Sequence, residues 1–140
     1  MDGGDPPCWE HLLDEQGRLK EPSIVDIRVR RAYEEPSRDD GQRVLVDRLW
    51  PRGLNKDAAR LDAWLPEVAP SDELRRWYGH KSERWQAFVK RYQAELEEPA
   101  RRNQLAELRQ WAKRGPLTLV CAARDPDHSN AEVLRRYLER

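Results

Sequence analysis

The chain has 140 residues, with 26 basic and 26 acidic side chains and a formal net charge of zero. This length fits a single domain that buries roughly two-thirds of its unfolded surface. The balanced charge argues against a protein that holds nucleic acid on a uniformly basic face. No apolar run is long enough to span a bilayer, and the first residues lack the basic flank and apolar core of a secretion signal. We therefore expect a cytoplasmic protein with no membrane partner.

The first 22 residues differ in composition from the rest of the chain. They combine glycine, proline and charged residues without sustained periodicity, which predicts a flexible N-terminal tail at 1–22 and one folded domain at 23–140. Cys8 and His11 in this tail have a spacing seen in metal sites, but two ligands do not define a site. Cys121 lies in an apolar run far from Cys8, so we expect reduced thiols rather than a disulfide.

Three segments have the patterns of β-strands. Residues 23–30 alternate between apolar and charged side chains, which predicts a half-exposed strand at an edge of the sheet. Residues 44–49 and 117–123 are nearly continuous in apolar side chains, and such runs are typical of strands buried on both faces. The chain therefore contributes one edge strand and two central strands to the predicted sheet.

The helices are marked by their ends and by one clear apolar stripe. Ser71 and Ser82 are predicted N-caps, and Ser129 with Glu132 forms a predicted capping box. Gly115 and the proline after it predict the end of a helix. The predicted helices cover 55–63, 72–78, 82–96, 99–113 and 129–138, and the stripe on the third consists of Trp85, Phe88, Val89, Tyr92 and Leu96.

The order of these elements is strand, strand, several helices, strand and helix. A long helical crossover between two buried strands implies that the two strands run parallel. We therefore predict an α/β fold in which a small, mostly parallel sheet is sandwiched by helices, as in a Rossmann-like three-layer domain.

Charged residues concentrate where the two buried strands end. In open parallel sheets, ligands bind outside the carboxyl ends of the strands. If the two strands are neighbours, both groups of residues face one crevice. The groups are Asp47, Arg48, Trp50 and Arg52 after the first buried strand, and Arg124, Asp125, His128 and Asn130 after the last.

The residue types in this predicted crevice fit a small anionic metabolite. Arg48, Arg52 and Arg124 could hold a phosphate or carboxylate, helped by the free N–H groups at the start of the last helix. In an enzyme, Asp47 or His128 would act as the acid or base. A binding protein would need the arginines alone.

Several of these residues also have a structural interpretation. Asp47 and Arg48 could form an ion pair that fastens the loop to the strand, and Arg124 could pair with Asp125 or Asp47. Trp50 fits packing as well as ligand stacking. Under this interpretation the charged groups are consumed within the protein and no vacant crevice remains.

Cys121 and the basic doublets support two further hypotheses. Cys121 lies between a strand and a turn, as nucleophiles do in rhodanese-like and phosphatase-like sites. The following loop lacks the small residues ending in arginine that such sites use, which favours a buried structural thiol.

An interaction module for nucleic acid or a protein partner would instead present tryptophans and basic doublets on one surface without nearby acids. Those doublets include Arg75, Arg76, Arg101 and Arg102.

Four motifs occur in a familiar order. They are RVLVDRLWPRGL, WLPEVAPSDELRRWYGH, ERWQAFVKRYQAEL and GPLTLVCAARDPDHSNAEVL. Together they resemble the YeaO-like branch of the domain-of-unknown-function 488 family over residues 24–138. The resemblance implies a small bacterial α/β protein with no established reaction. The family's polar motif positions fall on Asp47, Arg48, Pro51, Arg52, Gly53, His80, Asp125 and His128.

The resemblance adds His80 to the candidate site. This residue follows a short predicted helix and could close over the crevice as a catalytic group, or it could cap the end of that helix. More distant branches resemble Cys-His-Arg in the turn after the last strand, whereas Asp127, His128 and Ser129 stand there in this chain. A mechanism that needs that cysteine or arginine is therefore not expected here.

Overall fold

The computed structural model describes residues 26–139, so the tail at 1–22 with Cys8 and His11 lies outside the described residues. The strands are β1 (Ile27–Arg31), β2 (Gln42–Leu45), β3 (Ala63–Trp64) and β4 (Leu117–Cys121). The helices are α1 (Lys56–Ala59), α2 (Asp72–Tyr78), α3 (Trp85–Leu96), α4 (Arg102–Arg114) and α5 (Asn130–Leu138). Within the described range, no helix is both long enough and apolar enough to cross a membrane.

The strands form one parallel sheet in the order β1-β4-β2-β3. The predicted α/β class with a small parallel sheet is confirmed. The alternating segment forms the edge strand β1, and the two apolar runs contribute to the adjacent central strands β4 and β2, as predicted. The predicted bounds 44–49 were wrong, because β2 is Gln42–Leu45 and the run continues into a loop in which Leu49 is exposed. Leu45 lies opposite Val120 in this pairing, and the backbone N–H of Val46 donates to the Val120 carbonyl at 3.0 Å.

The two faces of the sheet are covered unequally. Val44, Leu117 and Leu119 belong to the main core, which they share with apolar residues of α2, α3, α4 and α5. The other face has a smaller core around Leu45 and Val120, covered by the segment that contains α1. The sheet therefore has helices on both faces, but most of the buried apolar surface lies on one of them.

The smaller face carries a buried polar cluster at the amino end of the sheet. The guanidinium of Arg43 contacts the Asp40 carboxylate at 2.5 Å, and both side chains are almost fully buried. Asp40 also lies 3.3 Å from the guanidinium of Arg30, and its carbonyl accepts a hydrogen bond from the Thr118 hydroxyl at 2.7 Å. These contacts compensate for the burial of the charges at this end of the sheet.

Helix ends agree with the sequence at some positions and differ at others. The hydroxyl of Ser71 accepts the Leu74 N–H at the start of α2, as predicted. The Ser82 cap was wrong, because a 3-10 turn at Ser82–Arg84 precedes α3 and the N–H of Trp85 bonds to the Ser82 carbonyl instead of its side chain. Ser129 accepts the Glu132 N–H as predicted, but the Glu132 carboxylate binds arginines of α5 instead of completing a capping box.

The segment predicted as a helix over 55–63 contains a shorter helix and an additional strand. Helix α1 ends at Ala59 because Arg60 adopts a left-handed conformation with φ 50°. The chain then runs beside β2, where the N–H of Asp62 donates to the Arg43 carbonyl and the N–H of Leu65 donates to the Leu45 carbonyl. These contacts place β3 at the second edge of the sheet.

Gly41 provides a test of this packing. Its φ of +63° favours glycine, and a Cβ added there would overlap the carbonyl oxygen of Pro116. We expect Gly41→Ala to lower the free energy of unfolding by about 1–2 kcal/mol for the backbone conformation and about 1–3 kcal/mol more for the overlap. Denaturant unfolding measures the loss. Gly53→Ala is the matched control, because its φ is +75° and an added Cβ meets no described atom within 4 Å. Equal losses in the two variants would contradict the packing argument.

Candidate functional site

A crevice of about 660 Å³ opens at the carboxyl ends of β2 and β4. Its other walls come from the end of α2 and the start of α5. The volume falls in the range of small-molecule sites. Its acidic, basic and histidine lining residues in the described part of the chain are Asp47, Arg48, Arg75, His80, Arg124 and Asp125.

The two strand ends meet directly in this crevice. The carboxylate Oδ2 of Asp47 accepts the backbone N–H of Ala122 at 2.8 Å. The amide nitrogen of Asn130 donates to the Val46 carbonyl at 3.1 Å and to Oδ1 of Asp47 at 3.3 Å. The residues that follow β2 and β4 in sequence are therefore brought together.

Asp47 is a part-buried carboxyl group that is bound by neutral donors. Burial raises its pKa, while the hydrogen bonds from Ala122 and Asn130 and the proximity of His80 act in the opposite direction. Among residues 26–139, no arginine, lysine or histidine lies within ion-pair distance of this carboxylate. The alternative in which Asp47 pairs with Arg48 or Arg124 is therefore not formed.

Arg48 is anchored to the other side of the crevice. Its Nε donates to the Pro70 carbonyl at 3.2 Å and its Nη2 donates to the Ala69 carbonyl at 3.3 Å. Asp72 lies 3.9 Å away from the same guanidinium. These contacts fix the side chain and leave Nη1 without a hydrogen bond to any described residue.

Arg124 is exposed and lines the crevice, and no described residue forms a hydrogen bond or an ion pair with its guanidinium. Arg75 also lines the crevice, and one of its terminal nitrogens lies 3.5 Å from Asp72. Sequence reasoning missed Arg75 as a crevice residue and considered it only among the basic doublets of an interaction module. No local signal marked it, since nothing in the sequence distinguishes it from the neighbouring exposed Arg76.

His80 reaches the rim of the crevice through an unusual backbone conformation. Gly79 and His80 have φ values of 51° and 58°, so two consecutive left-handed residues end α2 and turn the chain. The imidazole lies beside the Tyr78 ring, with 5.8 Å between the ring centroids. Its ring nitrogens make no hydrogen bond to the described part of the chain.

His128 and Arg52 do not line the crevice, in contrast to the other predicted site residues. The Nδ1 of His128 lies 2.7 Å from Oδ2 of Asp125, and this hydrogen bond is the main reason why the pKa of Asp125 is lowered. The other Asp125 oxygen accepts the Asp127 N–H, so both oxygens already have partners. The exposed Arg52 contributes its backbone carbonyl to a hydrogen bond from Tyr33.

Three aromatic side chains line the crevice as apolar walls. The Tyr78 hydroxyl donates to the His128 carbonyl at 2.9 Å, and its ring stacks on Phe88 at 4.3 Å. The indole N–H of Trp50 donates to the Leu54 carbonyl at 3.1 Å. Tyr78 and Phe88 are buried, so Trp50, whose N–H is already engaged, is the ring that offers the crevice flat apolar surface. Sequence reasoning assigned Phe88 to the core and did not associate it with a site.

Neither a reactive Cys121 thiol nor a metal-binding cluster is found in the described part of the chain. Burial raises the pKa of the Cys121 thiol to about 11, which disfavours the thiolate that a nucleophile needs. In the described range, no three histidine, cysteine, aspartate or glutamate side chains lie close enough together to hold a metal ion.

The basic doublets lie among acidic partners. Arg101 is buried, donates to the Ala69 carbonyl and contacts Glu95 and Glu98. Arg75 contacts Asp72, as described above. The acid-free basic face that the interaction-module hypothesis requires is therefore interrupted at both doublets.

The part-buried position of Asp47 predicts a pH dependence of stability. Because its folded pKa lies above the ordinary value of 3.8, the contribution of Asp47 to stability is fully present below the unfolded pKa and is lost as pH rises through the folded pKa. As pH rises from the unfolded to the folded pKa of Asp47, we expect the stability of Asp47→Asn to increase relative to that of the wild type. The increase should be about 1.4 kcal/mol for each pH unit between these two pKa values. Denaturant unfolding between about pH 3 and 8 measures the difference.

Asp125→Asn is the control of opposite sign. Because the pKa of Asp125 is lowered, its contribution is present above the unfolded pKa and is lost as pH falls through the folded pKa. A relative loss of stability by Asp47→Asn as pH rises would contradict the assignment for Asp47.

Comparison with known proteins agrees with the resemblance in the motifs. A family model described as "Inactive DUF488-N3 subclade" matches residues 26–140. The uncharacterized protein Rv3073c of Mycobacterium tuberculosis strain H37Rv is 50% identical over 112 residues, which are 80% of this chain and 92% of that relative. The uncharacterized protein YeaO of Escherichia coli K12 is 37% identical over 115 residues, which are 81% of this chain and 97% of YeaO. No solved structure gives a significant match.

The matched model begins at the residue where the described structure begins and extends over the whole sheet and every helix. The relatives are similar over about four fifths of the chain at 50% and 37% identity. The chain therefore belongs to the DUF488 family, as a YeaO-like member of the subclade described as inactive.

Proposed function

We propose that the crevice binds a small ligand in which a carboxylate or phosphate is attached to a flat apolar body. The observation that carries the proposal is the position of Arg124, whose guanidinium lines the crevice without a partner among residues 26–139. An arginine with five free N–H donors is suited to bidentate recognition of either anion.

The charges around Arg124 favour an anion over a cation at this position. Arg48 and Arg75 line the same crevice, and both lie near a single carboxylate, Asp72. Asp47 and Asp125 also line it, but their oxygens accept hydrogen bonds from other groups and neither contacts Arg124. The guanidinium of Arg124 therefore keeps its hydrogen-bonding capacity for an anion.

The apolar lining favours a flat body behind the anionic group. Trp50 is 36% exposed and Leu49 beside it is 61% exposed, whereas Tyr78 and Phe88 line the crevice from the core. An exposed leucine and an exposed tryptophan at the mouth of a crevice gain free energy when a ligand covers them, at about 25 cal/mol per Å² of apolar area removed from water.

Binding without catalysis fits these residues better than an enzyme does. The matched family model is described as inactive. Of the three residues proposed as catalytic, His128 lies outside the crevice and is already bound to Asp125. Asp47 and His80 line the crevice, and their catalytic roles stay predictions.

Calorimetric titration with three para-substituted toluenes tests the proposal. The probes are 4-methylbenzoate, 4-methylphenyl phosphate and the neutral 4-methylbenzyl alcohol, which share the same ring. We expect at least one anion to bind and the alcohol to bind more weakly by about tenfold or more, because charge-assisted hydrogen bonds contribute roughly 1.5–3 kcal/mol. The two anions distinguish a carboxylate site from a phosphate site.

Arg124→Ala should weaken binding of the preferred anion by about tenfold or more, for the same reason. Arg114→Ala is the matched control, since Arg114 is an exposed arginine at the end of α4 that leads into the amino end of β4. This control should leave affinity unchanged. No binding of either anion to the wild type, or equal losses in the two variants, would overturn the proposal.

A further inference from the structure

Asp47, like Arg124, is a charged group of the crevice without an oppositely charged partner among the described residues. Its carboxylate is part-buried, and its hydrogen-bond donors are the neutral backbone N–H of Ala122 and the neutral amide of Asn130. Partial removal of a carboxylate from water without a counter-cation costs free energy, and a bound cationic group in the same crevice would offset that cost.

Asn130 adds an acceptor beside Asp47. The Val46 carbonyl can only accept a hydrogen bond, so it fixes the Asn130 amide with its nitrogen toward β2. Both N–H groups of that nitrogen are then used, one on Val46 and one on Asp47. The remaining Oδ1 of Asn130 accepts no hydrogen bond from a described residue, and Asn130 lines the crevice. Asp47 and Asn130 thus form a pair of neighbouring acceptors.

Other cationic groups near Asp47 are engaged elsewhere or lie at the rim. Arg48 is bound to the carbonyls of Ala69 and Pro70. His80 is exposed and contributes to the electrostatic environment of Asp47 without reaching ion-pair distance. The acceptor pair is therefore available to a group that enters the crevice.

We propose that the ligand is an aminocarboxylate or aminophosphate zwitterion, with its protonated amine between Asp47 and Asn130 and its anion on Arg124. This inference rests on the proposed anion site and specifies the ligand class that the site takes. An ammonium group supplies three donors, which suits two adjacent acceptors.

The spacing of the two subsites is compatible with a ring between the amine and the anion. Ala122 touches Asp47, and Arg124 follows it by two residues, which corresponds to about 7 Å of extended chain. The aromatic walls described above lie in the same crevice. A ligand with its two charged groups at opposite ends of a flat body would contact both subsites and these walls together.

Three matched probes test the inference by calorimetry at neutral pH. They are 4-(aminomethyl)benzoate, which carries both charges, 4-methylbenzoate, which carries the anion alone, and 4-methylbenzylamine, which carries the amine alone. If the phosphate is preferred in the first titration, the corresponding phosphates replace the benzoates. We expect the zwitterion to bind the wild type about tenfold or more tightly than either singly charged probe, since each charged contact contributes roughly 1.5–3 kcal/mol.

Asp47→Asn should abolish the advantage of the zwitterion without weakening the anion-only probe, whose affinity should be equal or higher because a negative charge is removed from the crevice. Asp57→Asn is the control, because Asp57 lies on α1, outside the crevice. Should Asp47→Asn fail to fold, the wild-type comparison of the three probes decides the question alone. Equal affinities for the zwitterion and the anion-only probe would overturn the zwitterion inference and leave the anion site standing. Equal losses for both probes in Asp47→Asn would also overturn it. No binding of any anionic probe would overturn the proposed function together with this inference.

Discussion

The hydrogen bond from the Ala122 N–H to the Asp47 carboxylate is the contact on which the crevice depends. Up to Val46, the pairing of β2 with β4 uses backbone carbonyls, the last being Val120. One step further, a side-chain oxygen takes the place of the backbone acceptor. A buried N–H needs a partner, and because Asp47 supplies it from its side chain, the backbone after β2 is free to turn away. The space that this divergence leaves between the strands is the crevice.

Each end of the sheet has an aspartate, and the two aspartates have different kinds of partner. At the amino end, Asp40 contacts Arg43 and Arg30, so its charge is balanced within the protein. At the carboxyl end, Asp47 has neutral donors only, while Arg124 nearby has no partner among the described residues. Two opposite charges line one crevice without contacting each other. The proposed zwitterionic ligand would contact both of them.

Much of the fold could be predicted because the central strands are apolar on both faces and leave few alternatives. The edge strand β3 could not, because the residues on either side of it, Asp62 and Leu65, join it to β2 through backbone hydrogen bonds that have no side-chain signature. Ser82 has the residue type of an N-cap, but Trp85 is reached through a 3-10 turn. The limit here is that a cap depends on backbone geometry, which a single serine does not determine.

For the site, residues adjacent to the strand ends were the predictable part. Asp47, Arg48, Arg124 and Asn130 line one crevice because the carboxyl ends of neighbouring parallel strands must lie together. Residues contributed by α2 required the tertiary structure, since nothing local distinguishes Arg75 from other exposed helical arginines.

Catalysis and binding make different demands on the same side chains. A general acid or base needs a titratable group that faces the substrate and is oriented by a partner. Asp47 is oriented by Ala122 and Asn130. The imidazole of His128 does not line the crevice and is held by Asp125. His80 faces the crevice without a described hydrogen bond to orient its ring. Binding needs only complementary charge and apolar surface, both of which the crevice has. Within the described part of the chain, the crevice has charged groups without oppositely charged partners, and its titratable groups are not hydrogen-bonded to one another. These features favour a ligand-binding protein over an enzyme.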